Sequence, residues 1–453
     1  MGRAGAALAV LGLILVLAAL FMPGMARLLA FGRPGPESRT VLTIWSSPTG
    51  VEERAFKKLI ARYMREYPGI QVKNVGALDE GRTIRAILAG TPPDLLYVYG
   101  TGLVGPLAAN GAVMALDELF RQSGFRAKDF LPAAIAQGSY RGHLYAMPVT
   151  RDTLAFYWNR KLFRQAGLDP DRPPKTLEEL SSLAVRLTKT KEDGSITRLG
   201  LLPPDDVPAL MAAMGARFYD EATGRITANT PEEMAAALRW LQGIVDRQGG
   251  FQAINRFRAG FGSDESSYNP FYIDRIAMKF DGEWFAMHIE KYAPHLDYRV
   301  APIPYPARHP KLAHMAWQSG DVIMIPTGAS HPKEAWQFIR WLQMPSQQEE
   351  YAAGMNNLPS IRSLLNSPGL TQGSKCRETL GYILRNIATG SNARFFPSLP
   401  VSQFYQTLLS SQTEMVLSHR KTPEEALSYI QEKVQGQMAF YEEPSHTIRS
   451  SMP

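Results

Sequence analysis

The sequence predicts an α/β fold whose opening third is a parallel, doubly wound sheet. Three observations carry this. Short runs rich in β-branched, Leu and aromatic residues alternate with segments of helical period from Thr40 onward. Pro-Gly or Pro-Pro punctuation separates them, at Pro68-Gly69 and Pro92-Pro93. The order strand-helix-strand-helix-strand favours a parallel sheet with helices on its faces.

In chain order, Thr40–Trp45 (TVLTIW) reads as the first strand and Ser46–Gly50 as a loop. Val51–Tyr67 places Phe56, Leu59, Ile60 and Tyr63 on one helical face. Ile70–Val75 is a second strand, Arg82–Ala89 a short helix and Asp94–Tyr99 a third strand. In parallel sheets ligands sit beyond the carboxyl ends of the strands, so Trp45-Ser46 and Tyr99-Gly100-Thr101 should share one rim. Helices follow at Lys161–Ala166, at Thr176–Leu187 (opened by the T-x-x-E capping box Thr176/Glu179) and at Pro231–Val245. Ile276–Phe280 is a strand with an exposed tip at Asp281-Gly-Glu-Trp284. Tyr298–Pro302 and Gly320–Pro326 are extended, and Lys333–Leu342 is a helix.

The third strand runs into Gly100-Thr-Gly-Leu-Val-Gly105, a G-x-G-x-x-G. A dinucleotide site needs this turn after the first strand and an acidic residue about 20 positions on, at the end of the next strand. Here it follows the third strand, and Asp117 and Glu118 fall too early, in a turn and helix start. The glycines read instead as a bent loop, with a helix starting near Pro106.

At 453 residues the chain holds two or three domains of about 150 residues each. Net charge is +7 with Lys and Arg dispersed, which gives no basic arm for nucleic acid. Cys376 stands alone, so no intramolecular disulfide and no Cys-based zinc site can form. Ala4–Met22 is apolar or Gly throughout. It reads either as a signal peptide cut after Ala26 or as an uncleaved membrane anchor, the latter favoured because apolar character resumes at Leu28–Phe31. On either reading the body lies at the periplasmic or extracytoplasmic face. Residues 1–31 form this segment and the Gly/Pro-rich 32–39 a linker.

No catalytic signature is present: no G-x-S-x-G, no H-E-x-x-H and no P-loop. The eight His are dispersed, and Pro294 interrupts the seven-residue spacing of His288 and His295. Asp281 and Glu283 alternate in an extended stretch, but nothing marks either as a catalytic acid. The sequence therefore predicts no enzyme, no cofactor and no metal. What recurs is aromatic residues at predicted tips and loops: Trp45, Tyr99, Trp158, Trp284, Trp317, Phe404 and Tyr405. Flat aromatic faces suit the apolar faces of sugar rings, and nearby Asp, Asn and Arg suit their hydroxyls.

Several segments carry a resemblance: VLTIWSSPTG, REYPGIQV, TPPDLLYVYG, GHLYAMPVTRDTLAFYWNRKLF, PKTLEELSSLAVRLT, AMKFDGEWF and SGDVIMIPTGASHPKEAWQFIRWL. Each is short, but in this order the chain from Thr40 on resembles a family-1 extracellular solute-binding protein, the maltose-binding-protein-like receptor of an ABC importer. The resemblance implies a two-lobe, type II periplasmic-binding-protein fold, each lobe a mainly parallel sheet flanked by helices. It implies lobe 1 at 40–149 and 301–342 and lobe 2 at 150–300 and 343–453, with hinge crossings near 147–152, 298–302 and 342–346.

Carried over by position, the implied ligand contacts are Trp45, Ser46 and Thr49 at the first tip, Tyr99 and Thr101 at the third, Asp152 at the first crossing and Trp284 in DGEW. Trp317 and Ser319 precede the returning strand, Arg362 lies in the NNLPSIR loop, and Phe404 and Tyr405 lie in SLPVSQFYQTL. The resemblance implies a monomeric receptor that delivers a carbohydrate-like solute to importer permease subunits. The chain departs from the family twice. No Cys follows the apolar run, which rules out a lipid anchor, and Ser46-Ser47-Pro48 is not the charged loop of maltose binders. Arg151 and Arg362 leave a polyol phosphate or other small polar solute as an alternative; a membrane-anchored extracellular hydrolase is the alternative from another class.

Overall fold

The protein is described by a computed structural model covering residues 39–76, 80–100, 102–229, 232–388 and 393–442. The N-terminal apolar segment and Thr101 lie outside the described residues. Among the described residues no helix is long and apolar enough to cross a membrane.

Two sheets organise the molecule. The first has the order Ile70–Val75, Thr40–Ser46, Leu95–Val98, Val322–Met324, Met147–Pro148. Its first three strands are parallel, with Ser46 paired to Tyr97, so the first and third tips are neighbours. Alternation along Thr40–Ser46 puts Leu42, Ile44 and Ser46 inside. The helix Gly50–Glu66 covers this sheet with Phe56, Leu59, Ile60 and Tyr63, the apolar stripe its spacing predicts. A second helix, Pro345–Met355, packs beside it. There Tyr351 shares a hydroxyl hydrogen bond of 2.8 Å with Tyr97, and Arg62 pairs with Glu350 at 2.7 Å.

The second sheet is built around the ten-residue strand Thr150–Asn159. Its direct partners, Ile276–Gly282, Tyr298–Ala301, Ala316–Ser319 and Leu358–Pro359, all run antiparallel to it. Ile196–Leu201 runs parallel to Ile276–Gly282, and Ala393–Arg394 parallel to Ala316–Ser319. This sheet is therefore mixed. The long strand enters from the first sheet, and the segments that cross or return beside it must run the other way. Helices Leu177–Leu187, Val207–Ala213, Glu232–Arg247, Phe285–Tyr292, Ser402–Leu417 and Pro423–Glu442 surround it. Thr176 caps the first of these as expected, its Oγ1 accepting from the Glu179 amide at 3.2 Å. The Glu179 carboxylate accepts from the Lys175 amide, one residue before the amide a capping box would use.

The chain passes between the sheets where Met147–Pro148 continues into Thr150–Asn159, and again between Ser319 and Val322. The sequence reading put the second passage near 298–302. That segment instead pairs with Phe156–Asn159 and stays in the second sheet. The reading put the third near 342–346, but Pro345–Met355 still lies on the first sheet's helix, and Leu358–Pro359 is the first later segment to pair with Thr150-Arg151. All three passages thus meet around Arg151. Proline and extended backbone mark both real and apparent passages in sequence; only strand pairing separates them.

The G-x-G-x-x-G now has its physical account. Gly100 adopts φ +65, a left-handed turn that favours glycine. A Cβ on Gly102 would lie 2.6 Å from the Gln403 side-chain oxygen. A Cβ on Gly105 would drive into the Leu399 backbone, because the helix Val104–Ala109 packs directly on that segment. This helix starts two residues before the Pro106 start that the sequence suggested. Its first turn needs no N–H from residue 106, so the proline is tolerated there.

Candidate functional site

A continuous cleft runs from the tips of the first sheet across the second. Its middle, a cavity of about 410 Å³, is lined by Thr49, Glu52, Tyr99, Asp152, Glu265, Trp284, Asp321 and Asn357, among others. One end, about 290 Å³, adds Gln137, Asp206, Trp317, Ser319, Gln403 and Gln406. The other, about 590 Å³, adds Arg258, Asp264, Lys279 and Asp281. Tyr99 and Gly100 line both the middle and the first end, and Trp284 both the middle and the other. Such volumes match small-molecule sites.

Each wall is set by local structure. Thr49 and Glu52 stand at the start of the helix Gly50–Glu66, where two acidic residues favour the positive end of the helix dipole. The Thr49 amide donates to the Tyr99 hydroxyl at 3.2 Å, and that hydroxyl donates to Glu52. Asp152 accepts from Asn357 Nδ2 at 2.9 Å. Asp321 accepts from Tyr97 at 3.1 Å. The Trp284 ring lies over Gly282, occupying the space any side chain there would need. Trp317 donates its indole N–H to Asp206 at 2.8 Å, and Asp206 also caps the helix Val207–Ala213 through the Ala209 amide.

The cleft is electrostatically frustrated. Burial, then Asp152 and Glu265, push Glu52 up to about 7. Burial pushes Asp152 up to about 6 against the pull of Arg151. Asp321 is driven well above its usual range by burial and then by Asp152 and Glu52, and Glu283 likewise by burial and then Asp152. Arg151 is only 1% exposed, and its three guanidinium nitrogens have no hydrogen-bond partner among the described residues. Burial lowers it to about 10, opposed by Asp152, Asp321 and Glu283. A buried ionised group without close pairing is costly, and the nearby Asp152, Asp321 and Glu283 carboxylates offset part of that cost for Arg151.

Asp281 and Glu283, expected at an exposed tip, are buried. Glu283 accepts from the Thr153 amide at 3.0 Å. Asp281 pairs with Lys279 at 2.5 Å, and burial is the first cause lifting it to about 6. The tip is covered because the Asn356 side chain donates to the Glu283 carbonyl, bringing the third passage over it.

Of the residues chosen from sequence, Thr49, Tyr99, Asp152 and Trp284 meet in the middle cavity, and Trp317 and Ser319 line the adjoining end. Trp45 lies beneath the Arg82 guanidinium, 4.8 Å from its ring centre, and Ser46 is fully buried beside it; neither lines these cavities. Arg362 donates to the Phe130 carbonyl at 2.9 Å, away from the cleft. Tyr405 is fully buried against Phe218 and Phe396, while Phe404 is 41% exposed outside the cavities. Gln403, Gln406 and Ser410 are the face of that helix turned to the cleft, at i, i+3 and i+7.

Sequence reasoning did not select Glu52, Glu265, Asp321, Asn357, Asp206, Gln403 or Gln406. Two had a usable signal. Glu52 lies three residues past the first loop's Thr49, and Asp321 directly follows Gly320 ahead of the returning strand. Glu265 sits in a loop with no periodicity to read.

The fold and cleft define a two-lobe receptor of the type II class. Residues 47–349 match the bacterial extracellular solute-binding protein family, and the chain belongs to it. The solved structure of CpMnBP1 with mannotriose bound is 29% identical, with a TM-score of 0.76, covering 87% of this chain and 100% of that one. The sn-glycerol-3-phosphate-binding periplasmic protein UgpB of Escherichia coli is 24% identical over 416 residues, 87% of this chain and 91% of its own length. The maltotriose-binding protein of Pyrococcus abyssi is 23% identical over 333 residues, 72% of this chain and 68% of its own.

Proposed function

We propose that this chain is the extracytoplasmic substrate receptor of an ABC importer and that it captures a non-anionic carbohydrate between its two lobes. The observation that carries the sugar reading is the middle cavity. Trp284 and Tyr99 supply ring faces, and carboxylate, amide and hydroxyl groups around them suit sugar hydroxyls. Relatives that bind mannotriose and maltotriose support it. The likeness to UgpB supports a polyol phosphate less well. The middle cavity is lined by four carboxylates and no Lys or Arg, and neither Arg151 nor Arg362 reaches it. Across the cleft, Arg258 and Lys279 are already paired with Asp205 and Asp281.

Closure follows hinge bending at the three passages around Arg151, with solute favouring the closed state through contacts to both lobes. The receptor acts as a monomer, without turnover, and is held at the extracytoplasmic face by its N-terminal segment. Titration calorimetry with mannobiose, mannotriose, maltotriose and glycerol 3-phosphate tests this. Saturable binding of an oligosaccharide with no product is expected. Tight binding of glycerol 3-phosphate alone, or hydrolysis of a bound glycan, refutes it.

A further inference from the structure

The middle cavity gathers four carboxylates from four separate elements. Glu52 comes from the first turn of Gly50–Glu66, Asp152 from the long strand, Glu265 from the loop after Phe251–Arg258, and Asp321 from the passage back to the first sheet. None of the four is in an ion pair among the described residues. Asn357, only 3% exposed, donates its amide to Asp152, while its Oδ1 stays without a partner. That oxygen is a buried acceptor in the cavity wall with nothing to accept from. His288, 8% exposed in the same wall, likewise has an Nδ1 without a partner.

Arg151 stands near Asp152 and Asp321 but does not line the cavity. The unmet demand at the cavity itself is therefore for a positive donor: four carboxylates and a spare amide oxygen border a space that no Lys or Arg lines. Among the described residues no group of acidic and His side chains converges closely enough to hold a metal ion. The Trp284 and Tyr99 rings border the same space and suit the face of an organic cation. Bound there, an ammonium donates in up to three directions, to Asn357 Oδ1 and to carboxylates of both lobes.

We infer that the middle cavity is an ammonium subsite, so that the solute is an amine-bearing sugar whose charged nitrogen donates to Asn357 and to two of the carboxylates Glu52, Asp152, Glu265 and Asp321, the remaining two adding negative charge around it. This rests on the carbohydrate reading above and narrows it. It also gives closure a driving force. Glu52 and Glu265 approach one another from opposite sides of the cleft, where Glu265 closes on Gly50. A cation between them turns that repulsion into attraction.

Calorimetry on the full-length protein with matched trios tests the inference. Each trio is a hexose, its 2-amino and its N-acetylamino form, in the gluco, galacto and manno series, with mannotriose and maltotriose as neutral references. In at least one series the amine should bind roughly tenfold or more tighter than both partners, a difference a charge-assisted hydrogen bond can supply. Glu265→Gln, an exposed change that does not threaten folding, should shrink that ratio, and Glu52→Gln should do so independently. If neutral sugars bind and no amine outdoes its hydroxyl and N-acetyl partners, the ammonium subsite is refuted and the carbohydrate reading stands. If no sugar binds, charged or neutral, both fall. A ratio unmoved by either Gln variant also refutes the assignment to these carboxylates.

Discussion

Trp284→Ala separates a ligand-stacking ring from a core residue. The ring lies over Gly282, is half-buried against the main hydrophobic core and borders two contiguous cavity lobes of about 410 and 590 Å³. Truncating a fully buried Trp costs about 3–5 kcal/mol of stability. With half the ring facing the cleft, the expected cost is about 2 kcal/mol, a fall in Tm of about 4–8 °C at this domain size. A stacked aromatic in a desolvated site is a binding hot spot worth about 2 kcal/mol or more, near thirtyfold in Kd. Calorimetry with the tightest-binding sugar, beside thermal unfolding, reads both quantities. Unchanged affinity together with a Tm loss well beyond that range would refute the stacking role and leave Trp284 a core side chain.

Other substitutions and conditions test the same geometry. Tyr405→Phe removes a buried hydroxyl that has no partner among the described residues, so stability should hold or rise slightly and affinity should not change; Gln406→Ala, on the face turned to the cleft, should weaken binding while leaving Tm within about 2 °C. Gly105→Ala forces a Cβ into the Leu399 backbone and should cost about 1–3 kcal/mol by chemical denaturation; a neutral result would mean that the two segments are not packed as described. For pH, Glu52 and Asp152 have folded-state values of about 7 and 6, above the usual carboxylate range near 4 of an unfolded chain. Between those values the folded state holds more protons, so stability is greater near pH 5 and falls as pH rises to 7.5. Glu52→Gln should flatten that fall in urea titrations, and an unaltered slope would show that Glu52 is not strained.

Much of the fold was written locally. The alternation in Thr40–Ser46, the apolar stripe of Gly50–Glu66 and the Thr176 cap are set by neighbours within a few residues, and they form where the sequence places them. The pairing of the first and third strand tips follows from the parallel order, so the sequence itself assigns Tyr99 to a rim. The family resemblance added the DGEW segment and hence Trp284.

What tertiary structure alone decided lies where distant segments meet. The side of Ser402–Leu417 that faces the cleft depends on Phe218 and Phe396 claiming Tyr405, a packing choice that no local pattern encodes. The burial of Glu283 depends on Asn356, 73 residues away, closing over it. The four carboxylates of the middle cavity come from positions 52, 152, 265 and 321. In sequence each is one solvated acid among 42 acidic residues. Only the folded chain brings them within reach of one another, where low dielectric makes their mutual repulsion matter. Periodicity and capping act over a few residues and are legible in sequence, whereas burial and electrostatic coupling between remote segments exist only once the chain has closed.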